Sequence, residues 1–305
     1  MASRAELRTP LAQRRIERGD PEYPARLLAL GDPPERVLVA GAWPPANPSV
    51  AIVGARAATP YGREFARRLS FDLARLSHPV VSGLARGIDA AAHEGALEAG
   101  GVTLAVLPGS LDEIVPPQHQ ALARRIMVQG ALISEREAGF PVQRRSFIER
   151  NRLIAALASA VVVVEAAEGS GALHTAEFAR RLRRPLLAVP GDVDRPTSRG
   201  CHALLRAGAR LCEDAADVLA ALGEDAPRAV RGRRDSIQAP APVATGASPQ
   251  QRVLAALTVR ATTVESCASA AGLDVASTLN ELIQLEWAGL ATREPGARWR
   301  RGGRA

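Results

Sequence analysis

Three glycine-bounded loops carry the residues able to do chemistry in this chain. VAIVGARAATPYG runs from Val50 to Gly62, VVSGLARGID from Val80 to Asp89, and VVVVEAAEGSGALHTAE from Val161 to Glu177. Arginines stand in or beside them at Arg56, Arg86, Arg150 and Arg152, and small donors recur at Ser82, Gly83, Ser170, Gly171 and Thr175. Guanidinium groups fork onto phosphate oxygens, and backbone amides at a glycine-opened helix start add partial positive charge. The chemistry predicted is recognition of a phosphate-bearing ligand, with a polymer as one option.

In the first loop Gly54 lets the chain turn beside a ligand, and Arg56 either forks onto a phosphate or pairs with a nearby carboxylate. Asp89 reads as a capping or arginine-orienting group rather than a catalytic acid. The densest basic run is Gln143-Arg-Arg-Ser-Phe-Ile-Glu-Arg-Asn-Arg152, with Phe147 inside it. A base can stack on such a ring while guanidinium groups hold the strand, and Phe140 is a second platform. The alternative is that Phe147 belongs to the core and the arginines form a solvated helix face. Glu165 and Glu168 oppose a phosphate unless they orient arginines or meet a sugar hydroxyl. His174 alone implies no acid or base. Ser82, His93 and Asp89 can be assembled on paper into a triad, yet no G-x-S-x-G elbow occurs. With no lysine in the chain there is no Walker pattern, and ATP hydrolysis is not expected.

Composition bounds these readings. The 305 residues, 47% of them hydrophobic, suffice for a medium domain plus a small module. The net charge of +7 permits a nucleic-acid partner without demanding one. All 39 basic residues are arginine, so phosphate contacts come from planar, bidentate donors. Cys201, Cys212 and Cys267 form no CxxC pair, which predicts a reducing compartment and neither metal nor disulfide framework. The longest apolar run, Leu153 to Val164, is shorter than the roughly 20 residues a membrane span needs. No signal sequence is read at the N-terminus, and a cytoplasmic location without membrane contact is expected.

The loops sit between alternating strands and helices, which predicts an α/β fold with a Rossmann-like, doubly wound, mostly parallel sheet over 49–222. Strands are expected near 50–54, 79–82, 102–107, 131–134, 160–165, 185–189 and 209–212. Helices are expected near 62–76, 88–99, 118–129, 147–158, 173–182, 199–207 and 214–222. Residues 1–48 read as a short N-terminal helical extension, and the Pro/Ala/Gly/Ser-rich 223–249 as a flexible linker. Residues 250–305, with three short amphipathic segments and a Pro-Gly hairpin, read as a small C-terminal winged-helix domain with a basic tail. Its third helix carries Glu281 and Glu286 and no basic residue, while arginines lie at Arg293, Arg298, Arg300, Arg301 and Arg304. A protein-contact or accessory-charge role is favoured over reading a major groove.

Taken together, YPARLLALGDPP, VAIVGARAATPYG, VVSGLARGIDAAAHEGAL, LISE, FIERNRLIAALASAVVVVEAAEGSGALHTAEFA and LAVPGDVDRPTSRGCHALLRAGARL resemble the DNA-processing protein A (DprA/Smf) family over roughly 23–222. LNELIQLEWAGL resembles that family's winged-helix tail. The resemblance implies a dimeric, non-catalytic, cofactor-free protein that binds single-stranded DNA, protects it, and loads a RecA-type recombinase during natural transformation. It places the pocket on Arg56, Ser82, Gly83, Arg86, Phe147, Arg150, Asn151, Arg152, Ser170, Gly171 and Thr175. Departures from the family pattern fall at Val115, at His119 and at Ala172-Leu173-His174. The rival readings are a nucleoside monophosphate phosphoribohydrolase, to whose PGGxGTxxE motif EGSGALHTAE is slightly similar, and a nucleotide sensor.

Overall fold

The computed structural model describes residues 13–42, 47–227, 248–257, 261–294, 296 and 298–302, in two compact units, Met1–Val230 and Arg231–Ala305. The linker expected over 223–249 and the Arg304 tail lie largely outside the described residues.

The larger unit is built on nine strands: β1 (Gln13–Glu17), β2 (Arg36–Gly41), β3 (Val50–Val53), β4 (Val80–Ser82), β5 (Thr103–Val106), β6 (Ala131–Ser134), β7 (Ala160–Val163), β8 (Leu186–Ala188) and β9 (Arg210–Leu211). Their order in the sheet is β1-β2-β6-β5-β4-β3-β7-β8-β9, and β3 to β9 are all parallel. The helices are α1 (Pro60–Arg75), α2 (Ile88–Glu98), α3 (Gln120–Gln129), α4 (Arg144–Leu157), α5 (Gly171–Arg181), α6 (Arg199–Arg206) and α7 (Ala215–Leu222).

Every residue of β3 and β7 is buried, as a parallel sheet covered on both faces requires. Along β3, Ala51 and Val53 pack with α4, α5 and α6, while Val50 and Ile52 pack with α1, α2 and α7. The alternation of strand side chains thus assigns helices to the two faces. Leu38, Ala105 and Leu132 complete a third cluster with α3.

The N-terminal segment differs from expectation. Where helix was predicted, β1 pairs antiparallel with β2, and β2 pairs antiparallel with β6, Leu38 opposite Ser134. Val37, Leu38 and Val39 form a β-branched-rich run that gains more by extending the sheet than a short arginine-rich helix gains from propensity. Ile16, Tyr23 and Leu27 are buried beneath this edge.

In the smaller unit, α8 (Pro249–Ala256), β10 (Thr262–Thr263), α9 (Val264–Ala271), α10 (Val275–Trp287), β11 (Ala291–Glu294) and β12 (Arg298–Arg301) follow in order. The three antiparallel strands are ordered β10-β12-β11. Three helices with a terminal β-hairpin form a winged helix, its core closed by the buried Trp299 against Val253, Leu282 and Leu285. Among the described residues no helix is long and apolar enough to cross a membrane.

One buried group makes folding sensitive to acid. His93 on α2 places Nδ1 2.7 Å from Thr103 Oγ1 on β5, and its Nε2 has no hydrogen-bond partner among the described residues. Burial first, then the charges of His119 and Arg150, lower its pKa from 6.5 to about 3. The unfolded chain therefore takes up a proton that the folded chain refuses. Stability is full above the unfolded pKa and falls as pH drops toward the folded one, by about 2 kcal/mol between pH 7 and 5. Urea denaturation at these two pH values should show a smaller loss in His93→Gln than in the wild type; equal losses would refute the assignment.

Candidate functional site

The parallel sheet has its switch point at β3, whose chain neighbour β4 lies on one side and β7 on the other. The chain leaves β3 for α1 on one face of the sheet and leaves β7 for α5 on the other, so the loops at the strands' C-terminal ends part and leave a crevice. A cleft of about 770 Å³ lies there, lined by the loops after β3 and β7 and by the first turns of α4 and α5.

A polar network braces its walls. Arg150 on α4 is only 4% exposed; Nη1 donates to the carbonyls of Gly83 (2.6 Å) and Val106, and Nε donates to Asn151 Oδ1 at 3.2 Å. Asn151 Nδ2 donates to Gly171 O at 2.9 Å, joining α4 to the start of α5. Asp89 accepts from the amides of Gly83 (3.2 Å) and Ala85 (3.3 Å). Burial is the main influence on both charged groups, lowering the Arg150 pKa to about 10 and raising that of Asp89. Each is then the chief electrostatic support of the other. Gly83 must be glycine, because a Cβ there would collide with the Arg150 guanidinium.

A second brace fixes the loop after β3. Glu165, buried beyond β7, accepts from Thr59 N at 2.9 Å and Thr59 Oγ1 at 2.5 Å. Thr59 caps α1 by accepting from Gly62 N at 3.0 Å. Glu165 is thereby turned toward the loop backbone. Ser82 is fully buried and donates to Ile52 O at 2.7 Å, binding β4 to β3.

The groups facing the ligand space are different ones. Arg56 is exposed, and its guanidinium lies 4.6 Å from the centroid of the half-buried Phe147 ring. Arg144, the first residue of α4, is exposed in the cleft with no partner among the described residues. Ser170 caps α5 by accepting from Ala172 N at 3.4 Å, and Gly171, His174 and Thr175 line the wall. Arg86 is exposed in the loop after β4, with no partner among the described residues. At Gly87, φ is +78° and a Cβ would meet the Arg56 carbonyl at 2.7 Å, so the two loops lie against each other.

The predicted residues therefore separate into two groups. Arg56, Phe147, Asn151, Ser170, Gly171 and Thr175 come together in the cleft, with Arg86 beside it. Ser82, Gly83 and most of Arg150 are frame. Arg152 is brought elsewhere: it pairs with Glu135 at 2.5 Å and donates to Asp32 O at 2.9 Å. Two residues along a helix are about 200° apart, so Arg150 and Arg152 cannot share a face. Phe140 lies beneath Arg136, 4.4 Å from ring centroid to guanidinium, in a separate recess. His119 Nδ1 lies 2.8 Å from Leu84 O, bracing the loop after β4. Arg144 was not singled out in the sequence. A helix beginning at 144 rather than 147 puts Arg144, Phe147, Ile148 and Asn151 on one face by their i, i+3, i+4, i+7 spacing.

The chemistry available is a row of donors and cations beside a cation–aromatic pair; among the described residues no cluster of side chains is arranged to hold a metal. Frame and ligand groups are separable by stability. Arg150→Ala removes the chief charge supporting the buried Asp89 and leaves two carbonyls unsatisfied, and should cost about 3–5 kcal/mol in urea denaturation. Arg56→Ala should cost about 1 kcal/mol or less. Similar costs for the two would contradict this division.

Comparison with known proteins agrees with these features. A family model described as DNA recombination-mediator protein A matches residues 14–223, and a DprA winged helix domain model matches 238–297. A DNA processing protein DprA of Mycobacterium tuberculosis (strain H37Rv) is 44% identical over 253 residues; the match covers 83% of this chain and 64% of that protein, so under two thirds of its length is represented. Protein Smf of Escherichia coli (strain K12) is 36% identical over 282 residues, 90% of this chain and 74% of that protein. The X-ray structure of DNA processing protein A from Streptococcus pneumoniae superposes with a TM-score of 0.65 at 35% identity, covering 68% of this chain and 74% of that one. That of Helicobacter pylori, described for its single-stranded DNA binding mode, gives 0.62 at 30% identity, covering 70% and 96%. By its matched domains and by relatives along nearly its whole length, the chain belongs to the DNA recombination-mediator protein A family.

Proposed function

We propose that this chain is a non-catalytic mediator of recombination that binds single-stranded DNA in the cleft. The observation that carries the reading is the Arg56 guanidinium over the Phe147 ring, 4.6 Å from its centroid, in a cleft also lined by the start of α5 and by Arg144, which has no partner among the described residues. A base can lie against that pair while phosphates meet Arg144 and the α5 amides, which suits any sequence. A duplex offers no unstacked base to such a platform. The single-stranded DNA binding mode described for the Helicobacter pylori relative supports the same ligand class.

Family membership supports the finer parts of the proposal. The protein acts as a homodimer in the cytoplasm, needs no cofactor, protects incoming DNA, and loads a RecA-type recombinase in natural transformation. Residues 49–222 hold the strand, 223–249 link, and 250–305 contact protein or add charge through the wing arginines rather than through α10, which is acidic.

Fluorescence anisotropy of a labelled single-stranded oligonucleotide, competed with duplex and with nucleoside monophosphate, tests this directly. The single strand should compete best. Arg56→Ala and Arg144→Ala should each weaken binding about three- to thirtyfold and flatten the salt slope by about 0.7. Better competition by the mononucleotide would move the site to a phosphoribohydrolase or nucleotide sensor.

A further inference from the structure

Two polar side chains at the start of α5 take no part in the bracing network. His174 lines the cleft half-buried, and no hydrogen bond or ion pair engages its ring among the described residues. The other histidines each place a ring nitrogen on the fold: His78 on Glu224 and Pro48 O, His93 on Thr103, His119 on Leu84 O, and His202 on Gly191 O. Thr175 is only 1% exposed, lines the same cleft, and its hydroxyl likewise has no partner among the described residues. With so little of the residue exposed, the hydroxyl can be met only from the cleft it lines, by an acceptor on a ligand or by water.

The charged groups around the pair are known. The loop after β3 supplies Arg56, α2 supplies Asp89, α4 supplies Arg144 and Arg150, and the loop after β7 supplies Glu168. Arg150 and Asp89 belong to the buried frame, and Glu177, on the next turn of α5, is paired with Arg181. Strands β7 and β8, on which α5 packs, carry no charge. The space before His174 is therefore bordered by two free arginines and one exposed carboxylate.

We propose that His174 and the Thr175 hydroxyl contact one phosphate of a phosphodiester chain lying in the cleft, so that imidazole charge sets how tightly the chain is held. This rests on the single-strand reading above. A neutral imidazole offers one N–H donor; a protonated one offers two donors and a positive charge. An added phosphate contact on a single strand also steepens the salt dependence by about 0.7.

The test is anisotropy of a tetramethylrhodamine-labelled oligo-dT with the full chain at pH 8 and pH 6, across a salt series. Wild type should bind about three- to tenfold tighter at pH 6, with the slope steeper by about 0.7. His174→Gln and His174→Asn should lose the response to pH while binding at pH 8 persists. Thr175→Val should weaken binding at both pH values and keep the response. A full pH response in both His174 variants overturns the proposal. So does a wild type without one while Arg144→Ala still weakens binding, an outcome that leaves the single-strand reading standing. Absence of binding by the wild type at either pH overturns both.

Discussion

A single buried guanidinium joins four elements at the edge of the sheet. Arg150 reaches from α4 to the carbonyls ending β5 and opening the loop after β4, and through Asn151 to the first residue of α5. Taking that charge out of water is unfavourable, and the arrangement holds because Asp89, itself drawn inward by two loop amides, faces it. Glycine at 83 is a consequence of this pairing, since the guanidinium occupies the space of a side chain. The cleft is thereby kept open by a charge that is largely out of a ligand's reach, and the ligand-facing arginines are free of structural duty.

That separation has an electrostatic logic. Arg56 and Arg144 remain solvated, so they approach a polyanion without first breaking ion pairs, and their attraction acts over roughly a Debye length. Two acidic groups near the loops serve the frame, Glu165 holding the backbone at Thr59 and Asp89 the loop after β4, while Glu168 stays exposed in the cleft. Glu165 and Asp89 are thus directed at loop amides rather than at the ligand space.

Much of this was legible in the sequence. Seven strand positions and seven helices followed from β-branched runs, glycine turns and helical spacing, because a parallel sheet buried on both faces leaves its strands continuously apolar. The three loops were recognisable for the same reason. What escaped was directional. Arg150 and Arg152 look equivalent in a basic run, yet their angle around α4 sends one to the frame and the other to Glu135. Arg144 was hidden by a helix boundary placed three residues late, and boundaries are the least determined part of such a reading. The strand pair β1 and β2 was hidden because its partner, β6, lies some ninety residues away and only tertiary pairing rewards it.

That strand pair also governs how copies of the protein can meet. Among the described residues the sheet ends on one side in β1, whose residues Gln13, Arg14, Arg15 and Glu17 are exposed and mostly charged, and on the other in β9, two residues long. Charged and very short edge strands are poor templates for main-chain addition. Many copies crowded along one polymer would raise their local concentration far above that in solution. Under such crowding these borders resist runaway ribbon growth, and any ordered pairing of subunits is left to helix and loop surfaces, whose geometry is finite and self-limiting.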